Sequence, residues 1–288
     1  MYKPEHVGAW KRIVDFVHGG STAKIGMQLG HAGRKGSTQR LWERPDQPLP
    51  DGNWPLISAS AIPLASHNQT PRAMDRADMD RVRDDFARAA QMANEAGFDI
   101  LELHFAHGYL FASFISPLTN LREDEYGGDV TGRMRYPLEV FDAVRDVWPD
   151  RKPLSVRISA SDWAPGGLTT ADSVEVARML QQHGCDVIDV SCGQTVLEQK
   201  PVYGRLFQTS FSERIRLETG IPTMTVGNVK SYEDCNSILV AGRADLVVAA
   251  RAHLWDPYLT RHAARSLGHD LPWPNQYATA SRFDPRFE

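Results

Sequence analysis

Three titratable side chains follow a short apolar run near the middle of the chain. Ile100 to Leu103 has the length and composition of a buried strand, and His104, His107 and Tyr109 come directly after it. In parallel α/β proteins, ligands bind and reactions take place at the carboxyl ends of the strands. Two imidazoles and a phenol at such an end can bind a substrate oxygen, transfer a proton or bind a metal.

The spacing of the two histidines allows more than one interpretation. If the chain turns helically after the strand, His104 and His107 can point at one oxygen. A metal site would use His31 as a third ligand, and a structural role for one histidine is a further alternative. Metal-dependent hydrolase barrels usually open with a His-x-His pair and carry an aspartate after the last strand, whereas this chain has no such pair and has Arg251 in that region. We therefore predict no metal.

Arg157 and Gln28 are polar residues inside apolar strands. Arg157 lies in Leu-Ser-Val-Arg-Ile-Ser, and Gln28 lies in Ile-Gly-Met-Gln-Leu. An unpaired buried guanidinium is costly, so Arg157 needs either a carboxylate, with Asp99 and Glu102 as candidates, or an anionic ligand. The Gln28 amide has a donor and an acceptor, which suits a heterocycle that presents both, although backbone groups can satisfy it as well.

Two polar segments follow the last two predicted strands. Gly227-Asn228 comes after one strand, and Ala250-Arg251 comes after the next. In barrels, a phosphate site is commonly formed by the loops after the seventh and eighth strands, from backbone N–H groups, an arginine and a helix start. The two segments therefore predict a phosphate site, unless Gly227 is only a turn residue and Arg251 a solvated helix cap.

Strands and helices alternate along the chain. The predicted strands cover residues 23–29, 100–103, 154–159, 187–191, 223–226 and 245–249. The predicted helices are one between Pro4 and Gly19, those at 78–96, 133–147, 169–182, 212–218 and 231–240, and a closing helix from about 256. This alternation implies a parallel sheet with right-handed crossovers.

The six strands indicate an α/β fold of the (β/α)8 TIM-barrel type. Each strand ends in polar or glycine-rich residues, which is typical of this barrel rather than of a doubly wound sheet. A closed barrel needs eight strands, because strand number, tilt and shear are linked. Since the chain starts on a helix, we expect the first two strands to belong before Met1, so that 1–288 is one incomplete domain. Residues 36–74 are a predicted substrate loop, and residues 268–288 a C-terminal tail.

The composition is typical of a soluble protein that acts on small molecules. The chain has 288 residues, 42% of them hydrophobic, which is enough for a full core. A formal net charge of -4 leaves no basic excess for nucleic acid or an anionic membrane. Cys185, Cys192 and Cys235 are interpreted as core residues of a reduced, cytoplasmic protein. Neither a membrane span of ~20 apolar residues nor an apolar signal segment is present.

Five motifs, in this order, carry a resemblance to a known family. They are Gln28 to Arg34, His104 to Leu110, Ser116 to Gly128, Val156 to Trp163, and Asp256-Pro257. Together they resemble the old yellow enzyme family of flavin-dependent ene-reductases, in its bacterial thermophilic-like branch. The resemblance covers nearly the whole chain. The Trp-Glu-Arg-Pro loop and the Ala-Arg-Ala-His-Leu segment are also similar to the reductase part of flavoproteins that act on aminobenzoyl-CoA or salicylyl-CoA.

The resemblance implies a barrel that holds FMN at its C-terminal mouth and uses NADPH or NADH as reductant. Gln28 would bond the pyrimidine edge of the isoalloxazine, and Arg157 would lie by its N1. Gly227, Asn228 and Arg251 would hold the phosphate. These assignments would give Arg157 the anionic partner that a buried guanidinium requires.

The resemblance also implies what the residues after Leu103 do. His104 and His107 would bond the substrate carbonyl oxygen, and Tyr109 would protonate the neighbouring carbon. The implied reaction is reduction of an activated C=C bond in an α,β-unsaturated carbonyl compound or CoA thioester. The substrate would therefore be a small molecule of the enone or aryl-CoA type.

Two departures from the family pattern stand out. Ala250, which we still assign to the cofactor site, replaces the glycine that usually precedes the phosphate arginine. The family's first two strands have no counterpart in this sequence, so a cofactor-free barrel remnant or interaction module is an alternative, and a metal-dependent hydrolase is a third. We also expect a homo-oligomer or a fusion to an upstream domain, with residues 274–288 as a candidate contact.

Overall fold

The frame of the molecule is a six-stranded parallel sheet, observed in a computed structural model that describes residues 1–282. Its strands are β1 (Gly26–Leu29), β4 (Ile100–Phe105), β5 (Leu154–Ser159), β6 (Val187–Ser191), β7 (Thr223–Thr225) and β8 (Leu246–Val247). They lie side by side in that order, and every neighbouring pair is parallel. The six predicted strands are confirmed, with bounds that differ by a few residues.

Helices connect the strands and pack against the sheet. They are α1 (Glu5–Gly20), α2 (Arg76–Glu95), α3 (Leu110–Ile115), α4 (Val130–Arg145), α5 (Thr170–Gln182), α6 (Thr209–Thr219), α7 (Tyr232–Val240), α8 (Arg251–Trp255) and α9 (Leu259–Ser266). The predicted helices are confirmed except at the end of the chain. There the single closing helix expected from about residue 256 is two helices, and the first of them already begins at Arg251. The short helix α3 was not predicted.

The helix starts follow from side-chain caps. Asp75 and Asp78 form a capping box at the start of α2, and Thr169 and Asp172 form another at the start of α5. Each pair satisfies backbone N–H groups that have no partner within the helix. These caps fix the residues at which α2 and α5 begin.

The two faces of the sheet differ in polarity. Leu101, Leu103, Val156 and Ile158 point toward the helices and are fully or almost fully buried. The alternate residues, which point to the opposite face, include Glu102 and many other polar side chains. An alternation of this kind gives a barrel wall with an apolar outside and a polar inside.

The predicted substrate loop is more ordered than a structureless connection. Within it, β2 (Ile57–Ser58) pairs in parallel with β3 (Arg72–Ala73). The buried Arg34 guanidinium donates hydrogen bonds to the carbonyl oxygens of Pro63 and Thr195, the first at 3.1 Å. Arg34 therefore fastens this loop to the loop after β6.

The C-terminal tail is described only in part. Residues Asn275–Arg282 form a 3-10 helix, and the rest of the predicted tail and contact, 283–288, lies outside the described residues. Throughout residues 1–282, no helix is both long and apolar enough to span a membrane.

Candidate active site

The ends of the sheet strands open into one cavity of about 1600 Å³. Six of the nine site residues predicted from the sequence line it: His107, Arg157, Gly227, Asn228, Ala250 and Arg251. They come from four different strand ends, which parallel pairing brings to the same edge of the sheet. His104 and Tyr109 lie beside His107, while Gln28 lies on the polar face of β1 away from the cavity lining.

The two histidines form a hydrogen-bonded pair at the end of β4. His107 Nδ1 lies 3.2 Å from His104 Nε2, and His107 Nε2 lies 2.7 Å from the Ser191 hydroxyl oxygen. The His107 backbone N–H donates to the Ser159 hydroxyl oxygen at 2.9 Å. The Tyr109 ring centroid lies 5.3 Å from that of His104. Ser159 at the end of β5 and Ser191 at the end of β6 thus hold the pair in place.

Both imidazoles are held in their neutral form. Burial, reinforced by the Arg157 guanidinium, lowers the pKa of His104 to about 4 and that of His107 to about 3. A neutral imidazole carries one N–H donor and one acceptor nitrogen. In this structure both His107 ring nitrogens lie against other side chains, those of His104 and Ser191, and His104 Nδ1 has no partner among residues 1–282. An N–H that either ring turns to a ligand oxygen would belong to an uncharged imidazole at neutral pH.

Arg157 is paired with a carboxylate that the sequence analysis did not consider. Its Nη1 lies 3.1 Å from Asp189 Oδ2, and the Asp189 side chain is only 2% exposed. The candidates Asp99 and Glu102 were wrong, because Asp99 bonds the His18 ring and Glu102 accepts from other side chains. Burial raises the pKa of Asp189, despite the opposing effect of Arg157.

Gln28 bonds a carboxylate on the polar face of the sheet. Its Nε2 donates to Glu102 Oε1 at 2.6 Å, and the Ser155 hydroxyl donates to Glu102 Oε2 at 2.8 Å. The Gln28 side chain is exposed. The Gln28 donor thus bonds a side chain rather than a backbone group, and the role of the amide toward a heterocycle stays a prediction.

The segment after β7 brings its backbone close to the cavity. Gly227 has φ 115°, and a Cβ atom there would lie 2.5 Å from Gln208 Nε2, so the position requires glycine. Asn228 is left-handed at φ 55°, and its Nδ2 donates to the Gly204 carbonyl oxygen at 2.8 Å. The hydrogen bond from Asn228 to Gly204 therefore attaches the Gly227-Asn228 turn to the loop after β6.

The cavity wall fits an anionic, planar group such as FMN. The buried Arg157 Nε has no hydrogen-bond partner among residues 1–282, and in the same part of the chain the Arg251 guanidinium makes no ion pair. Lys230 adds a third cation to this wall. Cations and a glycine backbone around one open cavity suit the phosphate of a flavin nucleotide and a ring system that takes up negative charge.

Sequence reasoning missed Asp189, Ser191, Lys230 and Lys35. The first two lie on the strand Val187–Ser191 with the same alternation as Arg157, and that signal was available in the sequence. Lys230 lies two residues after the predicted Gly227-Asn228 segment. Lys35, by contrast, lies near His107 only through the tertiary fold.

Comparisons with known proteins agree with this site. The model of the NADH:flavin oxidoreductase / NADH oxidase family matches residues 1–270. An NADPH dehydrogenase of Geobacillus sp. (strain WCH70) is 43% identical over 285 residues, which cover 98% of this chain and 78% of that protein. Another NADPH dehydrogenase, from Listeria monocytogenes serotype 4a (strain HCC23), is 39% identical over 280 residues, 97% of this chain and 78% of the relative.

Solved structures show the same fold. Morphinone reductase superposes with a TM-score of 0.74 at 25% identity, covering 96% of this chain and 74% of that one. A 2-naphthoyl-CoA reductase complex superposes with a TM-score of 0.79 over 93% of this chain, which spans 41% of that longer chain. Because its identity is 21%, this second likeness concerns the fold alone.

Proposed function

Because the chain belongs to the NADH:flavin oxidoreductase / NADH oxidase family, as an old yellow enzyme-type, FMN-dependent NAD(P)H oxidoreductase, we propose that it reduces activated C=C bonds. The substrate class is an α,β-unsaturated carbonyl compound or thioester. One observation carries the proposal: His104, His107 and Tyr109 lie together at the mouth, beside the cavity that Arg157 lines. Family membership does not support the cofactor-free remnant or the metal-dependent hydrolase.

The cofactor would be held by residues on the cationic side of the cavity. Arg157 would lie against the ring system, and Gly227, Asn228, Lys230 and Arg251 would surround the phosphate. Ala250 precedes Arg251 and would bring backbone to the same group. When bound, FMN accepts a hydride from NAD(P)H and delivers a hydride to the substrate. The residues of this chain supply the orientation and the electrostatics.

The two imidazoles would bind the substrate carbonyl oxygen. As neutral donors, His104 and His107 would withdraw electron density from the conjugated C=C bond, and they would stabilise the negative charge that develops on the oxygen. Ser191 holds the His107 ring and so contributes to its orientation. Tyr109, next to the pair, would donate its phenolic proton to the carbon beside the carbonyl group.

Substrate selection is proposed to reside in residues 36–74. Arg34 fastens this loop at residues Ile62 and Pro63, so its position relative to the mouth is fixed. Loops that are held in place by a rigid frame are where specificity commonly varies. A cytoplasmic location, and a homo-oligomeric or fused state, stay predictions that cell fractionation and light scattering can test.

The proposal is tested by product analysis under anaerobic conditions. With FMN and NADPH supplied, we expect cyclohex-2-enone to be converted to cyclohexanone, and cyclohexene to remain unreacted because no carbonyl group polarises it. Tyr109→Phe should slow the conversion about 100-fold, the usual contribution of a positioned acid. Tyr277→Phe, at an exposed tyrosine, is the matched control.

Two other outcomes of this experiment would change the proposal. If NADPH is oxidised but the enone is recovered unchanged, C=C reduction is wrong, while flavin-dependent oxidation of NADPH stands. If only an aryl-CoA thioester is reduced, the reaction is right and the acceptor is a thioester rather than a ketone.

A further inference from the structure

Lys35 has no role in the proposed mechanism, yet its ammonium group lies at the mouth. It ends the 3-10 helix Gly33–Lys35 that follows β1. Its Nζ donates to the His107 carbonyl oxygen at 2.8 Å and to the Gln194 carbonyl oxygen at 2.7 Å. Among residues 1–282 it forms no ion pair with a carboxylate at hydrogen-bond distance. The ammonium is thus directed at two backbone groups.

Both carbonyl groups belong to residues in the left-handed backbone region. His107 has φ 62° and Gln194 has φ 63°, and neither is glycine. A residue other than glycine costs about 1–2 kcal/mol in this region and persists where the surroundings hold it. The two residues lie in different loops, one after β4 and one after β6. Lys35, in the loop after β1, therefore connects that loop to the loops after β4 and β6. Both of its bonds are to residues with a strained backbone, His107 and Gln194.

The two loops that Lys35 joins are in direct contact. Gly108 lies between His107 and Tyr109, and a Cβ atom there would lie 2.6 Å from the Gln194 carbonyl oxygen. Lys35 Nζ also lies over the Tyr109 ring, 5.4 Å from its centroid. The ammonium thus contacts the residue on each side of Gly108, and both of these residues belong to the proposed substrate site.

We propose that Lys35 is a positioning residue, whose ammonium holds the His107–Tyr109 turn against the loop after β6. In this position the His107 imidazole and the Tyr109 phenol keep the orientation that substrate activation requires. The inference rests on the proposed C=C reduction for its catalytic consequence. The contact that it describes is a property of the protein alone.

The charge of Lys35 depends on several neighbours. Burial lowers the pKa of its ammonium to about 8; Asp46 opposes this shift, and Arg34 adds to it. At the end of β4, His104, His107 and Tyr109 are the titratable groups that face it. The ammonium is therefore present at neutral pH and is lost as pH rises through about 8. A neutral amine makes weaker hydrogen bonds to carbonyl groups than an ammonium does.

The first test follows backbone opening by hydrogen exchange of the full chain. Lys35→Met removes the charge and the donors, and Lys11→Met, at an exposed lysine on α1, is the control. We expect amides in 107–110 and in 193–196 to exchange at least about 10-fold faster in Lys35→Met only. Unchanged exchange in both segments would overturn the proposal. If Lys35→Met does not fold, the same exchange comparison is made with Lys35→Gln, which removes the charge and keeps a neutral donor.

The second test is the rate of enone reduction. We expect kcat of Lys35→Met to fall about 10- to 100-fold, as misplaced reacting groups do, and kcat of Lys11→Met to match the wild type. The wild-type kcat should also decline as pH rises through about 8, and the Lys35→Met profile should lack that limb. An unchanged kcat in Lys35→Met would contradict the positioning role. A wild type that reduces no enone would overturn the proposed function, while the exchange data would still decide the contact.

Discussion

At the scale of single residues, burial sets the charge of the mouth. It lowers the pKa values of His104 and His107 and raises that of Asp189, so it favours the neutral form of each group. Arginine stays protonated in proteins, so Arg157 remains a cation between them. The result is a site with neutral donors and a fixed positive charge, which suits an electron-rich or anionic ligand.

The histidine pKa values predict how stability depends on pH. Unfolded histidine has a pKa near 6.5, and the folded values are about 4 and about 3. Below pH 6.5 the unfolded chain therefore binds protons that the folded protein does not, and the free energy of unfolding decreases as pH falls. Each histidine contributes up to about 1.4 kcal/mol per pH unit.

We expect His104→Gln to weaken this dependence. Between pH 6.5 and pH 4.5, its free energy of unfolding, measured with urea, should fall less steeply than that of the wild type. His269→Asn, at an exposed histidine, should retain the wild-type slope. Equal slopes for all three proteins would mean that His104 is not kept neutral by its surroundings.

The sequence shows that Arg157 needs a partner and that Asp189 has the matching alternation in its strand, but it does not show that these two residues lie side by side. A guanidinium inside an apolar strand requires an anion, and that part of the prediction was right. Asp189 lies in another strand, 32 residues after Arg157, and pairs with it in register. Register depends on how the crossover helix packs, which a pattern of alternating residues does not specify.

At the scale of elements, three strands end in the same kind of turn. The loops after β4, β6 and β7 each contain two consecutive residues with positive φ, one of them glycine. These pairs are His107-Gly108, Gly193-Gln194 and Gly227-Asn228. Two successive residues with positive φ reverse the backbone sharply, so each of these strands ends abruptly.

A glycine pair tests the packing of these turns. Gly108 and Gly166 have similar φ values, 71° and 73°, but a Cβ atom meets backbone only at Gly108. At Gly166 the nearest atom would be Leu118 Cδ2 at 3.9 Å. Gly166→Ala should therefore lose about 1 kcal/mol of unfolding free energy from backbone strain alone.

Gly108→Ala should lose more, because the new methyl group also overlaps the loop after β6. We expect at least about 3 kcal/mol from strain and overlap together, measured by urea unfolding. Enone reduction should fall in Gly108→Ala and stay near the wild-type rate in Gly166→Ala. If the two variants lose the same stability, the two loops are not in contact at this point.

Apolar periodicity and turn residues were sufficient to predict the long helices and the strands of the main sheet, and insufficient to predict the short elements. The six strands were found because apolar runs between turn residues are distinctive. Helix α3 was missed because all of its residues, Leu-Phe-Ala-Ser-Phe-Ile, are buried, so it has no polar face to reveal its period. The two-residue strands β2 and β3 depend on tertiary pairing and leave no pattern.

At the scale of the whole molecule, the frame is part of the TIM barrel of the FMN oxidoreductases. The order of the six strands and their parallel pairing bring the predicted site segments at the ends of β4, β5, β7 and β8 to the same end of the sheet. Within residues 1–282, β1 and β8 each have a neighbour on one side only. Fold class could be predicted, and so could the end of the sheet where the candidate site residues gather, because parallel strands bring their carboxyl ends together whatever the loops contain. The side chains that connect one loop to another, such as Lys35, could not be predicted.

The proposed function requires a hydride to pass from NAD(P)H, through FMN, to an activated C=C bond at this mouth. The most direct test is anaerobic rapid mixing of the FMN-loaded protein, followed by flavin absorbance. We expect NADPH to bleach the absorbance, cyclohex-2-enone to restore it, and cyclohexanone to leave it bleached. Bleaching by NADPH without recovery on addition of the enone would mean that the protein does not reduce activated C=C bonds.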